Sequence, residues 1–280
     1  MADSKPILVL KTGEALPPVV ETRGDYEAWI AQGMGRSLAP GEVEIAAVYL
    51  GDPLPRPERI AGVVITGSAS MVSAREPWSE HAAEWLAEIV KDDAVPVLGL
   101  CFGHQLLAHA LGGEVGPNPN GREMGTVEVH FAAAAAAPSA ASFAALSPLF
   151  EPGTFLGHTS HVEAVLRLPK QAQVLARTAL DPHSVLRYGR RQWGTQFHPE
   201  FDAEILRCYV ETRRDILVSE GRDPDAILAK IEETPDLARV LERFARLIAP
   251  LDGAPRGGVG EPAPGRPSAA AASASLRRGR

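Results

Sequence analysis

The 280-residue chain is sparing with sulfur and with positive charge. It holds two cysteines, Cys101 and Cys208, far apart in sequence. Two such residues make no disulfide framework, and a chain of this length buries enough surface to need none. A reducing, cytoplasmic location is the expectation. Lysine and arginine total 28 against 35 acidic residues, a formal net charge of −7. A chain that binds nucleic acid or an anionic membrane would carry a basic stripe, so neither is expected as a partner. Long apolar runs are missing too. Nothing reaches the ~18 consecutive residues a membrane-spanning helix requires, and MADSKPILVLKTG at the N-terminus has no basic region followed by a long apolar segment. Apolar residues still make up 45% of the chain and charged residues 22%, an ordinary globular composition.

What is present is an alternation of strand-like and helix-like segments. Residues 6–13, 43–50, 60–68 and 95–101 are short runs rich in Val, Ile and Leu that end in turn residues. Nearly continuous apolar strands suit a parallel sheet covered on both faces. Between the last two lies a helical pattern over 77–93, with Pro77 in its first turn and Trp78, Ala82, Trp85, Leu86 and Ile89 at helical spacing. Strand, helix, strand in this order predicts crossover units. The middle of the chain reads as successive strands with short turns, at 126–131, 154–161, 173–179, 183–189 and 191–198, an antiparallel or mixed extension of the sheet. Helices follow over 202–221 and 236–250. The alanine run 132–137 reads as a loop or short helical turn. The segment 251–280, almost without large apolar residues, reads as a mobile low-complexity tail after a single domain over 1–250.

Cys101 stands in Gly99-Leu100-Cys101-Phe102-Gly103, where a strand gives way to a helix. This is the glycine–nucleophile–glycine spacing of a nucleophile elbow, with Cys for Ser. Small residues two positions to either side let neighbouring backbone approach. The N–H of Phe102, at a helix N-terminus, is placed to bind a developing oxyanion, and the same helix end favours a thiolate. A buried structural cysteine would share the local pattern, so the chemistry depends on finding a base. His104 and His109 lie too close to the elbow and read as helix packing or surface. His198 is different: it ends the run WGTQF and is followed by Pro199 and Glu200. Positions i and i+2 of an extended segment share a side, so Glu200 can hold the imidazole while its other nitrogen faces Cys101.

The pair of segments Gly99–Gln105 (GLCFGHQ) and Gly194–Glu200 (GTQFHPE) resembles the two signatures of the class I glutamine amidotransferases. The resemblance extends over roughly 5–220 and is closest to stand-alone, GMP-synthase-like members. It implies a flavodoxin-like α/β three-layer fold, a Cys101–His198–Glu200 triad and a γ-glutamyl thioester on Cys101. VITGS (64–68) matches the family's glycine loop, which places the second oxyanion donor on Gly67, with its neighbour Ser68 as the other candidate. Gln105 matches a substrate-contacting position, and Ser160 and His161 fall in the loop that holds the amino acid end. Cys208 lies outside both signatures and reads as structural.

The resemblance implies no metal and no organic cofactor. The substrate is a small molecule, glutamine or a γ-glutamyl compound, and the resemblance implies an ammonia-accepting synthase subunit as a possible partner, since the chain shows neither a P-loop nor a nucleotide-binding Gly-rich loop. Three readings follow: a glutamine amidotransferase or glutaminase, a γ-glutamyl peptidase or hydrolase with the same triad, and a non-enzymatic binding protein. The intact triad disfavours the last.

Overall fold

The computed structural model describes residues 5–39, 41–131 and 147–248. The alanine run 132–137, residues 249–250 at the expected end of the domain and the segment 251–280 lie outside the described residues. β1 (Ile7–Lys11) is an inner strand of a parallel set. It pairs on one side with β2 (Val43–Ala47) and on the other with β3 (Gly62–Ile65), which pairs in turn with β4 (Val97–Leu100). β4 pairs in parallel with β11 (Gln192–Thr195), the latest strand in the chain, and this crossover brings the two signature segments side by side. The sheet then continues antiparallel through β10 (Val185–Arg187), β9 (Gln173–Arg177), β6 (Glu123–Phe131) and β7 (Gly153–His161). The nine-stranded order is β2-β1-β3-β4-β11-β10-β9-β6-β7.

Alternate residues of the central strands feed two different cores. Ile7 and Val9 of β1 belong to one, Leu8 and Leu10 to the other, and β3 and β4 divide in the same way. Strand side chains alternate between faces, so a run apolar at every position means both faces are covered. One face is covered by α1 (Pro17–Arg23), α2 (Tyr26–Gly33), α5 (Ala203–Thr212) and α8 (Pro235–Ile248). The other is covered by α3 (Pro77–Lys91) and α4 (Phe102–Ala110). The result is the three-layer α/β sandwich expected. Among the described residues, no helix is long and apolar enough to cross a membrane.

Two features differ from the sequence expectation. A small second sheet, β5 (Glu114–Pro117) with β8 (Glu163–Arg167), forms from segments of four and five residues, too short to show strand periodicity. The helix expected over 202–221 is broken at Arg213 (φ −103°, ψ 14°) into α5 and α6 (Arg214–Ser219). No Gly or Pro marks that break, which is why periodicity runs through it. α7 (Pro224–Leu228) follows, capped by the Asp223 carboxylate.

The two glycines around Cys101 are required by close packing rather than by backbone dihedrals. A methyl group on Gly99 would lie 2.5 Å from the carbonyl carbon and oxygen of Gly103, and one on Gly103 would lie 2.6–2.8 Å from Ile65. Strand β4, the first turn of α4 and the end of β3 are thus in backbone contact. Gly99→Ala is expected to destabilise the fold by at least about 1–3 kcal/mol, because backbone cannot yield as a side-chain tip can. Gly116→Ala, which meets only the tip of Leu166 at 3.1 Å, is expected to cost much less. Denaturant midpoints of the two variants check the contrast.

Candidate active site

Cys101 sits between β4 and α4 at φ 47° and ψ −98°, one of three non-glycine residues with positive φ among those described. For a side chain bearing Cβ this is a strained conformation that the surroundings must hold. The hold is visible: the Cys101 N–H bonds the carbonyl of Thr195 on β11 at 2.8 Å, and its carbonyl accepts from Gln105 N–H at 3.1 Å in the first turn of α4. The thiol therefore stands at the positive end of a nine-residue helix, beside the Phe102 N–H, which no intrahelical carbonyl can take. The thiol is nearly buried (6% exposed) and lies in a narrow cleft of about 50 Å³, whose lining includes Ser68, Phe102, Gln105, Ser160 and Arg213.

His198 and Glu200 leave the end of β11 together. The His198 N–H bonds His158 O at 2.8 Å, its Nδ1 donates to Glu200 Oε1 at 2.7 Å, and its ring stacks on Phe201 with centroids 4.0 Å apart. With Nδ1 committed to the carboxylate, Nε2 is the nitrogen left for the thiol. Burial pushes the imidazole pKa down. The Glu200 charge and the charge and hydrogen bond of Cys101 more than reverse this, raising it to about 10. Burial pushes the Cys101 thiol up, but the charge and hydrogen bond of His198, with a further contribution from His161, bring it below its ordinary value. Both directions favour a thiolate beside an imidazolium.

A second donor reaches the sulfur. Gln196 Nε2 lies 3.3 Å from Cys101 Sγ, while its Oε1 accepts from Gln105 Nε2 at 2.9 Å. The Gln105 nitrogen also donates to the Glu163 carbonyl at 2.7 Å. A backbone carbonyl only accepts, so this contact fixes both amides in turn: Gln105 presents nitrogen, Gln196 answers with oxygen, and the Gln196 nitrogen must face the sulfur. The same kind of accounting applies to His161. Its Nδ1 faces the Glu163 carbonyl at 2.9 Å and its Nε2 faces Glu123 Oε2 at 3.2 Å. With both nitrogens facing oxygen atoms, a doubly protonated ring satisfies both contacts. Its pKa is raised although burial opposes, chiefly through the Glu123 hydrogen bond and the charge of Cys101.

The structure thus brings Cys101, His198 and Glu200 together, with Phe102, Gln105, Ser160 and His161 around the same cleft. It gives several of them partners that the sequence did not suggest. The Gln105 amide nitrogen and both His161 ring nitrogens are spent inside the protein, and the Ser160 hydroxyl accepts from Arg213 Nη1 at 2.7 Å. Gly67 packs against the imidazole: a methyl there would meet His198 Cε1 at 3.1 Å. Ser68, not Gly67, is among the residues lining the cleft. The Gly67 carbonyl accepts from the hydroxyls of Thr12 (3.1 Å) and Thr66 (2.8 Å), so in a trans peptide the Ser68 N–H points away from both threonines. His104, wholly buried, is bonded to the Tyr188 hydroxyl at 2.9 Å and pushed by burial to about 3; His109 pairs with Glu80 at 2.9 Å. Both are structural contacts away from the sulfur. A larger cavity of about 640 Å³ lies behind Glu200, between Trp29, Phe201 and Pro235; the Glu200 side chain is wholly buried and gives that cavity none of its surface.

Sequence reasoning missed Gln196, Glu163, Arg122 and Arg213, all at or beside the cleft. Gln196 was within reach, since 196, 198 and 200 continue the alternation that linked His198 to Glu200. Arg122 and Arg213 come from a turn before β6 and a helix break, where no periodic signal points at the cleft.

The profile of the class-I glutamine amidotransferase family matches residues 25–207. The GMP synthase (glutamine-hydrolyzing) of Aeropyrum pernix is 37% identical over 184 residues, 65% of this chain but 32% of that protein, so the chain spans about a third of its length. Gamma-glutamyl peptidase 5 of Arabidopsis thaliana is 30% identical over 189 residues, 64% of this chain and 69% of that one. A glutamine amidotransferase from Thermotoga maritima, of known structure, superposes with a TM-score of 0.63 at 22% identity, covering 88% of this chain and 98% of that one, a likeness of fold.

Removing the imidazole charge leaves burial to dominate the thiol. In a Cys208→Ser background, His198→Asn is expected to raise the apparent pKa of Cys101 by at least about one unit. The pH dependence of iodoacetamide alkylation, followed by intact mass, measures it.

Proposed function

The chain belongs to the class I glutamine amidotransferases, and from that membership we propose that it hydrolyses the side-chain amide of glutamine through a thioester on Cys101. The observation that carries the reading is the buried Cys101–His198–Glu200 arrangement at the N-terminus of α4. The Cys101 thiolate attacks the amide carbon, and the carbonyl oxygen becomes an oxyanion. The N–H groups of Phe102 and Ser68 are its donors, Ser68 being preferred over Gly67 because it lines the cleft. His198 gives its Nε2 proton to the departing ammonia, leaving a γ-glutamyl thioester. It then takes a proton from water, whose oxygen attacks the same carbon, and glutamate leaves as the thiol is restored. Glu200 keeps the imidazole in the required tautomer throughout.

A second reading keeps the same steps with an amine or peptide as leaving group. It is supported by the match to a γ-glutamyl peptidase over more than two thirds of that protein's length, against a third of the GMP synthase. Under the first reading, a separate synthase subunit would consume the ammonia.

Purified protein assayed on glutamine, γ-glutamyl amides and γ-glutamyl peptides separates the two: ammonia from glutamine supports the first, release of amine or dipeptide without ammonia the second. In either case Cys101→Ala and His198→Ala are expected to lower kcat by roughly 10³-fold or more. Cys208→Ala, half-buried against the α5 side of the core, is expected to leave it within about twofold. Full turnover by Cys101→Ala overturns the mechanism.

A further inference from the structure

Arg213 occupies the break between α5 and α6, and the break turns its side chain back toward β7. Its Nη1 donates to Ser160 Oγ at 2.7 Å, and its guanidinium lies over the Tyr209 ring, 5.3 Å from the centroid. Tyr209 is itself held by a 2.9 Å bond between its hydroxyl and that of Tyr26. A long flexible side chain is thus fixed in plane and position at the wall of the Cys101 cleft.

The charges around it are already assigned, and Arg213 is left over. Arg122, the other arginine of the cleft, grips Glu220 through three contacts of 2.9–3.2 Å. Arg207 donates to the carbonyls of Leu228 and Ile231, and Arg214 pairs with Glu211 and Asp225. Glu163, the carboxylate of the cleft, accepts from the hydroxyl and N–H of Ser73. Among the described residues no carboxylate comes within ion-pair distance of Arg213, although a guanidinium carries five donors in a fork matched to a planar oxyanion. Ser160 completes the arrangement. Its oxygen accepts from Arg213, and among the described residues its own proton has no acceptor.

We propose that Arg213, with the Ser160 hydroxyl, anchors the α-carboxylate of the γ-glutamyl substrate and so selects substrates that carry one. The inference rests on the γ-glutamyl thioester reading and deepens it. With the γ-carbonyl at Cys101, the α-carboxylate is the one anionic group a γ-glutamyl unit offers. Arg213 contributes binding common to ground and transition states, so its loss raises KM more than it lowers kcat.

The test uses the full chain and a diazoketone analogue of glutamine that alkylates a thiol at the γ position, beside the same reagent lacking the α-carboxylate. Intact mass reports labelling of Cys101, independent of any leaving group. The wild type is expected to react with the carboxylated reagent at least about tenfold faster per unit concentration. Arg213→Met is expected to abolish that preference and Arg213→Lys to retain part of it, while iodoacetamide labels Cys101 equally in all three. For turnover of glutamine, Arg213→Met is expected to raise KM with kcat little changed. Retention of the full preference by Arg213→Met overturns the anchor, as does absence of any preference in the wild type. If iodoacetamide labels Cys101 but neither diazoketone does, the γ-glutamyl reading itself fails, and the anchor with it.

Discussion

The strained backbone of Cys101 is the constraint on which the site depends. A cysteine at φ 47° is stable only if strand, helix and neighbouring strand are locked around it. The lock consists of backbone against backbone: Gly99 on Gly103, Gly103 on Ile65, and the Cys101 N–H on the Thr195 carbonyl. From this one position follow the helix terminus beneath the sulfur, the free N–H of Phe102, and the adjacency of β11, whose next residues are Gln196, His198 and Glu200. The two signature segments are remote in sequence because the parallel sheet needs a crossover between them. They are adjacent in space because β4 and β11 pair.

The second organising principle is compensation of charge in a dry interior. A buried thiolate is costly alone. Here it is surrounded by His198 with its carboxylate Glu200, by the amide of Gln196, and at longer range by His161 with its carboxylate Glu123. His198 and His161 each carry a carboxylate of their own, Glu200 and Glu123, and both imidazoles lower the thiol's pKa. The two glutamines act as rigid links: a single carbonyl, that of Glu163, dictates the orientation of Gln105 and through it the donor that Gln196 turns to the sulfur. Substituting Gln105 would thus disturb the sulfur from two residues away.

Much of this was legible in the sequence, and the parts that were not share a cause. The parallel strands were visible because Ile7–Leu10 and Val63–Ile65 are apolar at every position, and the site residues because elbow and His-Pro-Glu spacing obey local backbone geometry. The family's glycine loop points to Gly67 or its neighbour Ser68 as the second oxyanion donor; Gly67 packs against His198 and Ser68 lines the cleft, a division that the local sequence does not display. The break at Arg213 carries no helix-breaking residue, so periodicity runs through 202–221; at the break Arg213 bonds Ser160 and lies over Tyr209. The β5–β8 pair went unseen because four- and five-residue strands held by each other carry almost no pattern of their own. Local rules found what the chain does locally; the Glu163 carbonyl that orients Gln105 and the Ser160 hydroxyl that holds Arg213 left no local trace.

The long β6–β7 hairpin has its two ends devoted to different purposes. Nine cross-strand pairs run from Glu123–His161, at the cleft, to Phe131–Gly153. Eight residue steps separate these ends, about 26 Å of strand. At that distal end Phe131 stacks on Phe150, and both are buried in the core. The hairpin is therefore clamped twice, by apolar packing at one end and by the polar contacts of His161 and Ser160 at the other. It works as a strut: the cleft wall is held from a hydrophobic footing about 26 Å away.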